Sequence, residues 1–220
     1  MGPHLILLGP PASGKGTQGR RLAESLGLSY LSTGALLREA VENGTPAGKE
    51  AEPILERGGY VSDELMGSII EPWLEKNREG WVLDGFPRTI AQDDFLRGWL
   101  AGHSQRIDAV ISLEVPKEDL IERIERRVEC PDCRWSGQKS DLAGGGRCPK
   151  CGGEAGRRMD DSLENFLSRF DEFSLHTSPV IERYASVGGL TACDATAPVD
   201  TVAEGILKTV QRIITDGQTA

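Results

Sequence analysis

The sequence predicts an α/β fold built on a parallel sheet flanked by helices. Short apolar runs that suit buried strands alternate with longer helical patterns. The first run, Leu5-Ile6-Leu7-Leu8, enters a glycine-rich loop that leads into a helix pattern. A second run, Trp81-Val82-Leu83, ends on Asp84 and a Gly85 turn, placing polar groups where ligands sit in open α/β sheets.

Strands are expected at Leu5–Leu8, near Ser29–Leu31, and at Trp81–Leu83, Ala109–Leu113 and Leu190–Cys193. Helices are expected after Lys15, after Thr33, around Lys49–Arg57, over Asp63–Lys76, Ile90–Leu100 and Lys117–Val128, as one long helix over Asp161–Ala185, and over Pro198–Ile214. Ser62-Asp63-Glu64 and Pro116-Lys117-Glu118 have the composition of helix starts. Cys130 to Gly156 breaks the pattern, being rich in Gly, Cys, Pro and charge with little apolar periodicity.

The chain has 220 residues, enough for one substantial core or a core with insertions. Its net charge of −9 disfavours a nucleic-acid surface. No apolar run is long enough to cross a membrane, so no membrane partner is expected. Met1-Gly2-Pro3-His4 lacks the features of a secretory signal, and Ile6 breaks a myristoylation pattern. A cytoplasmic location is the expectation.

Gly9-Pro10-Pro11-Ala12-Ser13-Gly14-Lys15-Gly16-Thr17 has the makings of a phosphate cradle. Backbone N–H groups of such a loop point inward, and the helix N-terminus adds partial positive charge. Lys15 neutralises outer phosphates, and a hydroxyl close behind, that of Thr17, reaches a magnesium ion. Gly16 takes the usual hydroxyl position of the pattern. Asp84, at a strand end beside such a loop, suits magnesium or its waters, and Arg88 follows on the loop. Leu31 to Arg38 places Arg38 about one and a half helical turns beyond Thr33, so a helix start and a guanidinium can grip one phosphate. Arg123 and Arg127 are four apart on an expected helix; Arg158 and Arg169 are eleven apart and would align on a continuous one. Phosphoryl transfer needs positioning and charge neutralisation more than covalent help, and arginine suits that task.

Two C-x-x-C pairs, Cys130/Cys133 and Cys148/Cys151, are separated by fourteen residues and can close one tetrahedral S₄ metal site. Zinc is the first choice, with mononuclear iron as the alternative. A filled S₄ shell is structural, and the ion replaces the core that the segment lacks. Cys193 reads as a small hydrophobe.

The chain resembles the nucleoside monophosphate kinases, and most closely the adenylate kinases. The resemblance rests on the G-K-G-T loop ending, Asp84-Gly85-Phe86-Pro87-Arg88-Thr89, Ser32-Thr33-Gly34, Gly58 to Glu64, the arginine order and the cysteine segment. It implies a sheet of order 2-3-1-4-5 and reversible phosphoryl transfer from Mg·ATP to AMP giving two ADP, without a side-chain general base. ATP, AMP and ADP are then the partners, magnesium and structural zinc the cofactors, and a monomer is expected. The core would comprise 1–31, 62–123 and 162–220, with a monophosphate-binding insert over 32–61 and a zinc lid over 124–161. Gly9, Pro10, Ala12, Ser13, Gly14, Lys15, Gly16, Thr17, Arg123, Arg127 and Ala197 would meet ATP, with Ala197 in a loop beside the donor adenine. Thr33, Arg38, Gly59, Tyr60, Val61, Gly85, Arg88, Gln92, Arg158 and Arg169 would meet AMP, Gln92 reading the adenine edge. Lys15, Arg88, Arg127, Arg158 and Arg169 would be catalytic, and Asp84 with Thr17 would hold the magnesium waters. Ala35 stands where the family usually has Asp, which implies weaker magnesium binding. Thr33 argues against the pyrimidine-specific branch, which usually has Ala there.

Overall fold

A computed structural model describes residues 2–158 and 161–218. A five-stranded sheet is formed by β1 (His4–Leu8), β2 (Ser29–Ser32), β3 (Trp81–Asp84), β4 (Ala109–Glu114) and β7 (Leu190–Asp194). Its order is β2-β3-β1-β4-β7 and every pairing is parallel. A separate antiparallel pair, β5 (Arg127–Glu129) and β6 (Ser136–Gln138), lies between the fourth and fifth core strands in sequence. With that pair set aside, the order is the expected 2-3-1-4-5.

Period-2 alternation divides the core between the two sheet faces. Leu5 and Leu7 of β1 join Leu22 and Ala23 of α1 (Lys15–Leu26) and Val202, Ile206 and Val210 of α9 (Val199–Gln218). Ile6 and Leu8 point the other way, toward Ile70 and Leu74 of α4 (Asp63–Lys76), Leu96 of α5 (Ile90–Gly102) and Tyr184 of α8 (Ser178–Ser186). Both faces are covered, so β1, β3 and β4 read as near-continuous apolar runs. A smaller cluster of Leu120, Ile124 and Phe166 joins α6 (Lys117–Arg126) to α7 (Leu163–Glu172), and Ala12 packs against it.

Helix α4 has the expected bounds, with the Ser62 hydroxyl accepting from Leu65 N–H and Asp63 and Glu64 in its first turn. α2 (Thr33–Glu42) and α3 (Pro46–Glu56) follow β2, and Thr45 caps α3.

Two expectations need correction. The helix expected to Val128 ends at Arg126, because Arg127 to Glu129 turn extended to pair with Ser136 to Gln138. Arg123 and Arg127 therefore do not share a helix face. The helix expected from Asp161 starts at Leu163 on a Ser162 cap, so Arg158 precedes it and no continuous helix aligns Arg158 with Arg169. A π turn, Phe173–Thr177, also separates α7 from α8. Pro179 lacks the N–H that a regular α turn would use there, and the widened turn accommodates it. Met159 and Asp160 of the quoted Arg158-Met159-Asp160-Asp161 run lie outside the described residues.

Candidate active site

All five core strands run the same way, so their C-terminal ends share one edge of the sheet. The loops there surround a cleft of about 1150 Å³. β1 delivers the glycine-rich loop, β2 the start of α2, β3 the 84–88 turn, and β7 the segment from Ala195 to Val199.

The loop closes tightly over the sheet. A methyl group at Gly9 would sit 2.7 Å from the Leu113 carbonyl oxygen, and Gly9 has φ +140°, so only glycine fits. Ala12 adopts φ +65°, a left-handed conformation that strains a Cβ-bearing residue, while its methyl packs on the Leu120/Ile124/Phe166 cluster. Alanine thus preserves the backbone shape of the cradle. Lys15 folds beneath it, donating to the Gly9 oxygen at 2.8 Å and the Pro10 oxygen at 2.7 Å. Burial of its ammonium pushes the pKa down to about 8; Asp84 pulls it up, and Arg88 and Arg127 push it further down.

Asp84 is buried at the end of β3 and accepts a 2.8 Å hydrogen bond from the Tyr30 hydroxyl. A methyl at Gly16 would lie 3.5 Å from Asp84 Oδ2, so this carboxylate faces the first turn of α1, where Thr17 also lines the cleft.

Arg88 is held from several sides. Its Nε donates to the Gly85 oxygen at 2.7 Å, its guanidinium lies 4.7 Å from the Tyr60 ring centroid, and its carbonyl accepts from Thr177 Oγ1 at 3.1 Å. Thr33 Oγ1 donates to the same Gly85 oxygen at 2.8 Å. A methyl at Gly34 would lie 3.4 Å from Arg38 Nη1 and 3.8 Å from Arg88 Nη2, so two guanidinium groups converge beside the first turn of α2. That is a ready anion site.

Three further arginines meet carboxylates or carbonyls. Arg123 Nη2 donates to the Ala195 oxygen at 2.6 Å. Arg127 forms a two-pronged pair with fully buried Asp161, its Nε donating to Oδ2 at 2.8 Å and an Nη to Oδ1. Arg158 pairs with buried Glu129; burial and then Arg127 and Arg38 press its pKa down to about 10. Arg169 lines the cleft beside Gly58. Arg126 and Arg157, the chain neighbours of Arg127 and Arg158, are engaged differently. Arg126 pairs with Glu122 at an exposed position, and Arg157 donates to the Asp161 backbone oxygen at 2.9 Å.

Of the residues expected to meet nucleotide, Pro10, Thr33, Val61 and Gln92 do not line the cleft. Gln92 is buried: its Oε1 accepts from Arg88 N–H at 2.7 Å and its Nε2 donates to Asp63 at 2.8 Å. Sequence reasoning missed Tyr30, Glu129, Arg134 and Thr177, each of which has a partner distant in the chain.

The four thiols of Cys130, Cys133, Cys148 and Cys151 all lie within 4.8 Å of one another. Cys130 Sγ and Cys151 Sγ are 3.5 Å apart, as are Cys133 Sγ and Cys148 Sγ. The set can hold one metal ion. Cys193 is partly buried against the α9 face of the core.

The adenylate kinase family model matches residues 7–188. The chain belongs to the adenylate kinase family. It is 40% identical over 216 residues to an adenylate kinase of Paracoccus denitrificans, covering 97% of this chain and 99% of that protein. It is 38% identical over 219 residues to an adenylate kinase of Archaeoglobus fulgidus, covering 96% and 97%. To that of Syntrophotalea carbinolica it is 40% identical over 207 residues, covering 92% and 96%.

The geometry at Ala12 predicts a near-balanced substitution. Ala12→Gly relieves about 1–2 kcal/mol of left-handed strain. It gives up about 0.8 kcal/mol of methyl burial and about 0.5–1 kcal/mol of backbone entropy. Urea unfolding of Ala12→Gly should therefore match the parent within about 1 kcal/mol, whereas the β-branched Ala12→Val should cost about 2 kcal/mol or more. Equal stability of Ala12→Val and the parent would show that this conformation carries no strain.

Proposed function

We propose that the cleft divides the work of the adenylate kinase reaction, ATP + AMP ⇌ 2 ADP, between a donor half and an acceptor half. The observation that carries this division is the convergence of Lys15, Arg88, Arg127, Arg158 and Arg169 on one space between the 9–17 loop and the start of α2.

In the donor half the 9–17 loop cradles the ATP phosphates with its backbone N–H groups, and Lys15 leaves the Gly9 and Pro10 carbonyls for the outer phosphates. Arg123 lies flat against the donor base, steadied by the Ala195 oxygen, with Ala197 on the same wall. In the acceptor half Arg38 and Arg88 hold the AMP phosphate, and Gly59, Tyr60 and the Gly85 turn line the nucleoside. Thr33, Val61 and Gln92 support that wall from behind. Gln92 meets the adenine only by exchanging its bonds to Arg88 and Asp63. Arg127, Arg158 and Arg169 neutralise the charge that spreads over the transferred group.

Magnesium, bound with ATP, neutralises charge on the donor phosphate oxygens. Asp84 and Thr17 are the oxygen donors placed to hold its water shell, and carboxylate and hydroxyl oxygens suit a hard cation. For the cysteine set we propose zinc. A tetrahedral zinc–thiolate site has sulfur–sulfur edges of about 3.8 Å, close to the 3.5 Å spacings seen.

Residues 32–61 and 124–161 act as closing inserts on the core of 1–31, 62–123 and 162–220, keeping water from accepting the phosphate. No helix among the described residues is long and apolar enough to cross a membrane. A reduced four-thiol metal site fits a cytoplasmic protein, and one chain supplies both halves of the cleft, which fits a monomer.

A coupled assay of ADP formation tests this reading. Lys15→Ala and Arg88→Ala should stay folded and lose roughly 10²–10³-fold or more in turnover. Near-parental turnover in either would refute the assignment.

Lys15 also gives a pH test. Phosphates favour the charged amine, so binding raises its pKa from about 8 toward or above the ordinary 10.5. ATP binding at pH 9 should take up protons, while at pH 6.5 Lys15 is already charged and contributes none. Calorimetry in two buffers of different ionisation enthalpy reads the uptake, and Lys15→Ala should lose it. Equal uptake by parent and variant would contradict the assignment.

For the metal, Cys133→Ser should lower zinc content and melting temperature while activity at saturating magnesium and low temperature largely persists. Metal-free protein of unchanged melting temperature would overturn a structural role.

A further inference from the structure

The two cysteine knuckles share one backbone plan but differ in the residue that follows the second cysteine. Arg134 N–H donates to the Cys130 oxygen at 2.9 Å, and Gly152 N–H donates to the Cys148 oxygen at 2.9 Å. Both residues directly follow the second cysteine of their pair, and both are left-handed, with φ +57° at Arg134 and +76° at Gly152. Open space surrounds the Gly152 Cβ position, so glycine serves there only to supply the backbone conformation. The first knuckle places a long, charged, Cβ-bearing side chain at the equivalent point, against local preference.

The Arg134 side chain reaches out of the knuckle to another part of the chain. Its Nη1 and Nη2 donate to Glu42 Oε1 and Oε2 at 3.2 and 2.6 Å, a two-pronged pair between residues 92 apart in sequence. Glu42 is the last residue of α2, where a carboxylate opposes the helix dipole. Both partners therefore sit at locally unfavourable positions that meet in one contact. Arg134 Nη1 also lies 3.8 Å from Glu129 Oε1, and Glu129 in turn pairs with Arg158. Charges alternate along Glu42, Arg134, Glu129 and Arg158, from the far end of the helix that begins at Thr33 to an arginine on the cleft wall.

We propose that Arg134 is a positioning residue of the phosphoryl-transfer site: it docks the cysteine-bearing segment onto α2 through Glu42 and orients Arg158 through Glu129. This rests on the assignment of Arg38 and Arg158 to substrate phosphates above. In this role Arg134 acts through Glu42 and Glu129. It fixes the distance between the element carrying Arg38 and the one carrying Arg158, so its loss is felt first in binding of the acceptor nucleotide. Its contact with Glu42 is half-exposed and therefore sensitive to salt.

The test uses the full-length, zinc-loaded chain with Arg134→Gly, Arg134→Lys, Glu42→Gln and the Arg134→Gly/Glu42→Gln double variant. Arg134→Gly suits the left-handed position, so zinc content and melting temperature should equal or exceed those of the parent. KM for AMP should rise about three- to tenfold in Arg134→Gly and Glu42→Gln, with kcat changed less than KM. The double variant should be no worse than the more affected single one, and Arg134→Lys should fall between parent and Arg134→Gly. Raising salt from 50 to 300 mM should increase the parental KM more than that of either variant. An unchanged KM in Arg134→Gly, or effects that multiply in the double variant, would overturn the proposal. Arg158→Gln serves as the control. If it kept parental turnover, the Arg158 assignment would fail, while the KM series would still decide the docking contact.

Discussion

The structure is organised around a concentration of positive charge that the protein must hold before any phosphate arrives. The chain carries a net charge of −9, yet one cleft gathers Lys15, Arg38, Arg88, Arg123, Arg127, Arg158 and Arg169. Like charges drawn together in a partly desolvated space repel, and the depressed pKa values of Lys15 and Arg158 register that burial and repulsion. Five of them are steadied by something else: Lys15 by the Gly9 and Pro10 carbonyls, Arg127 by Asp161, Arg158 by Glu129, Arg123 by the Ala195 carbonyl, and Arg88 by the Gly85 carbonyl with the Tyr60 ring. On the proposed reading, substrate phosphates exchange for some of these partners, so the binding energy of the triphosphate is spent on aligning the groups that act on it.

The sheet makes this gathering feasible. Parallel pairing sends β1, β2, β3 and β7 toward one edge, and the apolar layers on both faces fix their relative heights through the register of Leu5 with Val82 and Ala109. Glycine-level tolerance at Gly9 follows, because the loop must pass over the Leu113 carbonyl before α1 can begin. The cysteine segment has no comparable core. On the proposed reading, its short β5–β6 pair and a metal ion held by its four thiols take over that task, while other side chains of the segment face the cleft.

Much of this was legible in the sequence because the signals are local. The 9–17 loop, the 84–88 turn, the cysteine spacing and the five core strands each lie within a short run whose chemistry has few other uses. What escaped depends on contacts between distant residues. The helix through Arg123 looked continuous to Val128, but pairing with Ser136 to Gln138 outweighs helix propensity at Arg127. The helix after Asp161 is interrupted by a π turn whose Thr177 hydroxyl bonds the Arg88 carbonyl, a link of 89 residues. Tyr30 on Asp84, and Arg134 between Glu42 and Glu129, are pairs that no spacing rule predicts. Gln92 shows the converse: the motif marks it as a base reader, whereas its amide is here committed to Arg88 and Asp63.

The central claim is that the gathered cations are the phosphate site and that their present partners are placeholders. A crystal structure of the zinc-loaded chain with magnesium, a non-hydrolysable ATP analogue and AMP tests it most directly. The account predicts the triphosphate in the 9–17 loop with Lys15 turned onto it, the AMP phosphate between Arg38 and Arg88, and Arg127 and Arg158 reaching the phosphate bridge. Nucleotides bound elsewhere, with Lys15 still on the Gly9 and Pro10 carbonyls and Arg158 still closed on Glu129, would contradict it.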